Sequence, residues 1–183
     1  PLPSLVMLTH AHIGHYTGLM YFGREAANAN RIPLLCGPRM ADFLLNNGPW
    51  SQLFELNNLR FMAWNDSTSN LANANLLKRD SNLRILPFRV PHRDEFSETL
   101  GYFIAGPQKS ILFIPDIDKW DAWDQELGAL LPLVDYAFID GTFYDGKELP
   151  GRDMSEIPHP FVVETMARYD SLPPQLKAKI YFI

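Results

Sequence analysis

The stretch LTHAHIGHYTGL, residues 8–19, places His10, His12 and His15 within six positions of a 183-residue chain that has five histidines. Neutral imidazole is a ligand for zinc, iron and similar ions. In extended chain, residues two apart face the same way, so His10 and His12 present both rings to one side. His15 falls where the next helix should start and can turn back toward the same point. H-x-H alone is a weak signal, because a single histidine at a strand end is usually a polar boundary residue. H-x-H-x-x-H directly after the apolar run LVMLT is a far more specific pattern.

Other apolar runs also end on groups that do chemistry. LRILPFRVP ends at His92, SILFIP at Asp116 and YAFI at Asp140. In α/β sheets such strand ends gather along one edge, where ligands bind. His92 would complete a three-histidine set with His10 and His12, and Asp116 would bridge or complete a second position. Asp140, in IDGTFYDG, supports a ligand from behind, caps a turn through its backbone, or does both. Arg93, Asp94 and Glu95 read either as groups that orient ligands or substrate, or as a solvated charged turn.

The elements that must position these residues alternate. Strands are predicted at SLVMLTH, RIPLLCGP, NLRILPFRVPH, DYAFIDG and KIYFI, with two more in TLGYFIAGPQKSILFIPD turning at Gly106-Pro107. Helices are predicted over 15–30, 38–48, 120–134 and 160–172. Residues 50–82, rich in Asn and Ser, read as weak strands and loops around LRFMAW, and 148–160 as a loop. Strand–helix alternation indicates an α/β architecture.

Composition narrows the function classes. Net charge is −5 with a pI near 5.5, which disfavours stable nucleic-acid binding. A single cysteine, Cys36, excludes a disulfide framework and a cysteine zinc site. No apolar stretch is long enough to span a bilayer. The first residue is proline and both ends read as strands, so the chain is expected to be part of a longer one. An export signal on a missing N-terminus stays open beside a cytoplasmic location.

HAHIGH resembles the H-x-H-x-D-H signature of the metallo-β-lactamase superfamily. VPHRDEFSETLGYFI is similar to that family's third-histidine segment, LFIPDID to its bridging-aspartate segment, and VDYAFIDGTF to the strand and loop that follow. The H-x-x-G-L continuation, PD and DGTF resemble the pyrroloquinoline quinone biosynthesis protein B-like members. The resemblance implies an α/β fold of the four-layer αββα type, forming one domain over residues 1–183. That domain is expected to lack its first strands and its C-terminal end.

The same resemblance implies that His10, His12 and His92 hold a first metal, with His15 and Asp116 at a second. Gly14 stands where the signature has aspartate, and KIYFI stops where the family's last histidine would follow. One tight ion and a weak second are therefore expected, zinc first, with iron or manganese as alternatives. His159, in EIPHPF, falls where some superfamily nucleases carry a proton-donating histidine, and a solvated loop histidine is the alternative. Asp116 would orient a water and His159 protonate a leaving group. The implied activity is hydrolysis of an ester, phosphodiester or amide bond in a small-molecule or peptide substrate. An iron-dependent oxidoreductase and a non-catalytic binding protein with a degenerate site remain as other readings. The oligomeric state is not legible.

Overall fold

The computed structural model describes residues 1–62 and 83–183. They form two compact units: residues 1–62 with 94–100, and residues 83–93 with 101–183.

The first unit carries a three-stranded parallel sheet in the order β1 (Val6–Met7), β2 (Ile32–Leu35), β3 (Leu59–Phe61). Between β1 and β2 lie the one-turn helix α1 (Ile13–Tyr16) and a 3₁₀ segment (Thr17–Phe22). Helix α2 (Pro38–Asn46) follows β2, and α3 (Gln52–Glu55) precedes β3. Leu34, Met40, Leu44 and Leu59 centre the apolar core. Helix α2 starts where it does for two reasons. Pro38 occupies the first turn, where its missing N–H costs nothing. The buried Glu98 carboxylate accepts the backbone N–H of Arg39 with both oxygens at 3.2 Å, satisfying an otherwise orphaned donor.

Gly37 makes that cap fit. A Cβ there would lie inside the Glu98 carboxylate, whereas a Cβ at Gly18 would meet nothing within 4 Å. Gly37→Ala is therefore expected to displace Glu98 and cost about 2–3 kcal/mol, the range of overpacking plus a lost cap. Gly18→Ala should be nearly neutral. Urea unfolding of the two variants is the measurement, and equal midpoints would show that Glu98 does not hold α2.

The second unit carries a five-stranded sheet in the order β4 (Arg84–Arg89), β5 (Leu100–Ala105), β6 (Ser110–Ile114), β7 (Tyr136–Ile139), β8 (Ile180–Phe182). Strands β5 and β6 are antiparallel, as the Gly106-Pro107 turn requires, and β6, β7 and β8 run parallel. Alternation is clean in the centre: Leu112, Ile114, Ala137 and Ile139 are fully buried. They pack with Trp120, Trp123 and Leu127 in one core. Helices α4 (Leu127–Leu130), α5 (Val162–Arg168) and α6 (Pro174–Lys177) complete the unit.

Two predicted helices are not continuous. The 15–30 stretch gives only α1 and the 3₁₀ segment, because Gly23 turns extended and Asn28 and Arg31 take positive φ. The 120–134 stretch breaks after a 3₁₀ turn at Trp120–Ala122. Trp123 is extended there, and its indole N–H donates to the Arg89 carbonyl at 3.2 Å. Glu126 then caps a new start, accepting from Gly128 N, and Pro132 keeps the following turn a 3₁₀ one. Apolar spacing suited a helix, but local capping and a tryptophan hydrogen bond divided it. In the 50–82 region β3 is present, and the expectations for 63–82 lie outside the described residues. Among the described residues, no helix is long and apolar enough to cross a membrane.

Candidate metal centre

In the first unit the chain leaves β1 and reaches His10, which is buried, then half-buried His12 and exposed His15. The unit brings the three rings together. His10 Nε2 lies 2.8 Å from His12 Nδ1, and the His10 and His15 ring centroids are 4.4 Å apart. Thr9 Oγ1 is 3.0 Å from His10 Nδ1. The 94–100 segment holds the motif from the other side. The Ala11 N–H, between the two histidines, donates to Ser97 Oγ at 2.8 Å, and Ser97 Oγ–H donates to the Glu98 carbonyl. Glu95 Oε2 is 3.0 Å from His12 Nε2. Glu95 is thus more than a solvated turn residue, while Asp94 accepts from Thr99 Oγ1 and, through its carbonyl, from Arg39. Gly14 lies inside α1 without positive φ, and a Cβ there would meet nothing within 4 Å. Nearby, burial and the Glu98 charge push the Cys36 thiol up to about 12. It stays a protonated, inert buried group.

In the second unit, parallel register sets the geometry. Ile114 of β6 pairs with Ile139 of β7. Asp116 and Asp140 therefore leave the sheet side by side at one edge. His92 follows β4, and His159 arrives on the loop before α5. All four are buried. His92, Asp116 and His159 each offer one ligand atom, and these atoms lie within 4.8 Å of one another. Donors at about 2.0–2.1 Å from one ion at tetrahedral angles stand roughly 3.4 Å apart, a spacing of the same order as that of these atoms.

Behind these groups stand two further carboxylates. Asp118 Oδ1 accepts from His92 Nδ1 at 3.0 Å, and the Asp118 N–H donates to the Pro91 carbonyl at 2.8 Å. Asp140 Oδ2 accepts from His159 Nδ1 at 2.6 Å and from Ile117 N at 3.1 Å. Its other oxygen accepts from Thr142 N at 3.0 Å. Asp140 therefore fills both of the roles the sequence left open: it caps the turn and it orients a histidine. Asp116 Oδ1 lies 3.7 Å from the same His159 nitrogen.

The two histidines are pushed in opposite directions. Burial lowers the pKa of His92 against the opposing hydrogen bond to Asp118, and the nearby His159 adds to the lowering. A neutral ring is the form that ligates a metal. For His159 burial acts the same way, but the Asp140 hydrogen bond and the charges of Asp140 and Asp116 outweigh it and raise the pKa. The donor chemistry of both units, imidazole plus carboxylate with carboxylates behind the rings, fits a divalent transition metal. Sequence reasoning missed the support roles of Ser97 and Asp118. The only local hint was Asp118 two residues beyond Asp116.

Residues 1–180 match the beta-lactamase superfamily domain, and the chain belongs to that family. Its fold is the metallo-β-lactamase one, mixed α/β with two sheets. Three solved structures are similar to it. Zn(2+)-bound PqqB from Methylobacterium extorquens has 18% identity and a TM-score of 0.50, over 78% of this chain and 47% of that one. Human tRNase Z, short form, has 14% identity and a TM-score of 0.53, over 91% of this chain and 68% of that one. The metallo-beta-lactamase fold protein YhfI from Bacillus subtilis has 12% identity and a TM-score of 0.54, over 98% and 74%. The chain thus spans about half the length of the PqqB structure. A comparison with curated proteins gives no match. The superfamily resemblance read from HAHIGH and LFIPDID is borne out, with PqqB among the similar structures.

Proposed function

We propose that the chain is a metal-dependent hydrolase acting on an ester, phosphodiester or amide bond of a small-molecule or peptide substrate. The observation that carries this reading is the buried edge of the five-stranded sheet, where His92 and Asp116 offer ligand atoms beside His159 and each ring is backed by a carboxylate. Family membership supports it, since the superfamily consists mostly of metal-dependent hydrolases. In this reading residues 1–183 act as one metal-binding domain. His10, His12 and His92 hold a tight ion, with zinc the first candidate. His15 and Asp116 contribute to a weaker second position.

A bound divalent ion would supply Lewis acidity and bring water to a usable pKa near neutrality. The chain's own residues do the rest. Asp116 orients the attacking water through a carboxylate oxygen. Asp140, fixed by Ile117 N and Thr142 N, holds the His159 ring through Nδ1. His159 then delivers a proton from Nε2 to the leaving group. The acidic net charge favours a small substrate over a nucleic acid.

Elemental analysis after dialysis, paired with esterase and phosphodiesterase assays, tests the reading. About one equivalent of tightly held metal with turnover is expected, and iron with oxygen uptake instead would favour an oxidoreductase. Gly14→Asp should raise the metal content toward two, because the side chain has open space and needs no positive φ. Two equivalents retained without that change would show that another carboxylate already fills the second position.

A further inference from the structure

On the reading that the strand-end histidines serve a hydrolase, we propose that Tyr16, Phe43, Trp50 and Phe96 of the first unit form a wall that seats an uncharged aromatic group of the substrate. The substrate is then an aryl-bearing carboxylic ester or amide rather than a phosphodiester.

The segment that carries Phe96 is folded inside out. Ser97, Glu98, Thr99 and Leu100 are each at most 2% exposed, while Phe96 is 62% exposed. Apolar surface is ordinarily what folding withdraws from water. Here three polar side chains are withdrawn instead, and each is held. Ser97 Oγ accepts the Ala11 N–H, Glu98 accepts the Arg39 N–H, and Thr99 Oγ1–H donates to Asp94. The Phe96 ring is left outside the apolar core of the unit.

That ring ends a row. Its centroid is 6.0 Å from that of Phe43 in α2. Phe43 meets Tyr16 edge-on at 5.4 Å, and Tyr16 meets Trp50 edge-on at 5.1 Å. These are separations and angles at which aromatic rings attract. Tyr16 is buried, Phe43 and Trp50 are half-buried, and the row opens to solvent at Phe96. Both ends of the row join the histidine motif. Tyr16 follows His15 in α1. Phe96 lies between Glu95, whose Oε2 is 3.0 Å from His12 Nε2, and Ser97, which holds the backbone between His10 and His12. One more ring added at Phe96 therefore comes to rest beside that motif.

Charge selects the occupant. Helix α2 and residues 94–96 carry three exposed carboxylates, Asp42, Asp94 and Glu95, against one exposed guanidinium, Arg39. Arg39 is turned onto the Asp94 carbonyl at 2.9 Å. A phosphodiester brings a negative charge toward Glu95 and is repelled, whereas a carboxylic ester or amide brings none. A second copy of this chain, docked wall to wall about a two-fold axis, would set the same three carboxylates against their own kind.

The test uses the full chain as purified and three small probes: phenylacetamide, acetamide and phenyl phosphate. Phenylacetamide should shift the ring resonances of Phe96 and Phe43 and the indole resonance of Trp50 saturably. Acetamide should leave them in place, and phenyl phosphate should bind at least about tenfold more weakly than phenylacetamide. Phe96→Ala should weaken phenylacetamide about tenfold, with an unchanged melting temperature because the ring lies outside the core. Leu45→Ala removes an exposed apolar side chain from the opposite face of the same helix and should change nothing. In proton-release assays the parent should favour methyl phenylacetate over methyl acetate in kcat/KM, and Phe96→Ala should lose most of that preference. Equal binding of phenyl phosphate, or parent affinity for phenylacetamide in Phe96→Ala, would overturn the proposal. So would a dimer in sedimentation that Phe96→Ala dissolves, since the wall would then face a second copy. If the parent binds phenylacetamide at these rings but hydrolyses neither ester, the hydrolase reading fails and the aromatic site stands.

Discussion

Replacing His12 with alanine is expected to abolish retention of metal through dialysis while leaving the fold intact. His12 is half-buried and outside the apolar core, so its loss opens no cavity there. As a proposed ligand it would contribute a ring nitrogen, and its Nδ1 lies 2.8 Å from His10 Nε2 in the first unit. A site worth roughly 10–16 kcal/mol loses at least on the order of 3 kcal/mol with one of its three histidine donors, about a hundredfold or more in affinity. That is enough for an ion to be lost to buffer. Elemental analysis of the dialysed variant reads the first effect, and a thermal melt of the metal-free forms reads the second. A variant that keeps the parent's metal content would remove His12 from the ligand set, and with it the reading of HAHIGH.

Much of this was legible because it is local. The apolar runs before His10, His92, Asp116 and Asp140 announce strands that stop at polar groups, and strand β7 lies where YAFI placed it. Parallel pairing of Ile114 with Ile139 then does what strand ends in an α/β sheet are expected to do, and sets Asp116 beside Asp140. What escaped the sequence is long-range. Glu95 meets His12 across 83 positions, and Glu98 reaches the start of α2 across 59. No spacing rule reports such a contact. Gly37 carries no sign of its own that a carboxylate must pass over it. Charged residues after His92 looked alike in the string DEFSE, yet one meets His12, one caps a helix and one ties down the loop. The failed helix at 120–134 has a related cause. Trp120, Trp123 and Leu127 have the spacing of one helical face, but the Trp123 indole is held by the Arg89 carbonyl, 34 positions away.

His159→Ala is expected to leave the metal content unchanged and to lower turnover by about 10²–10⁴-fold, the usual range for a lost general acid. The geometry admits two roles for this ring, since it stands within ligand distance of His92 and Asp116. Its hydrogen bonds favour the acid. Asp140 accepts the Nδ1 proton at 2.6 Å and is itself fixed by two backbone N–H groups, so the ring is aimed rather than merely buried. Asp116 lies 3.7 Å from the same nitrogen, and two carboxylates on one side favour a ring that carries protons at both nitrogens. A ligand would need Nε2 bare, whereas a proton donor needs it occupied. Asp140→Asn keeps the shape and one acceptor but removes the charge. It should therefore lower turnover in the same direction, by less than the His159 variant, with metal again retained. Metal content and turnover measured on the same samples separate the roles. Loss of metal from His159→Ala would make this histidine a ligand, and the proton for the leaving group would then have to come from elsewhere.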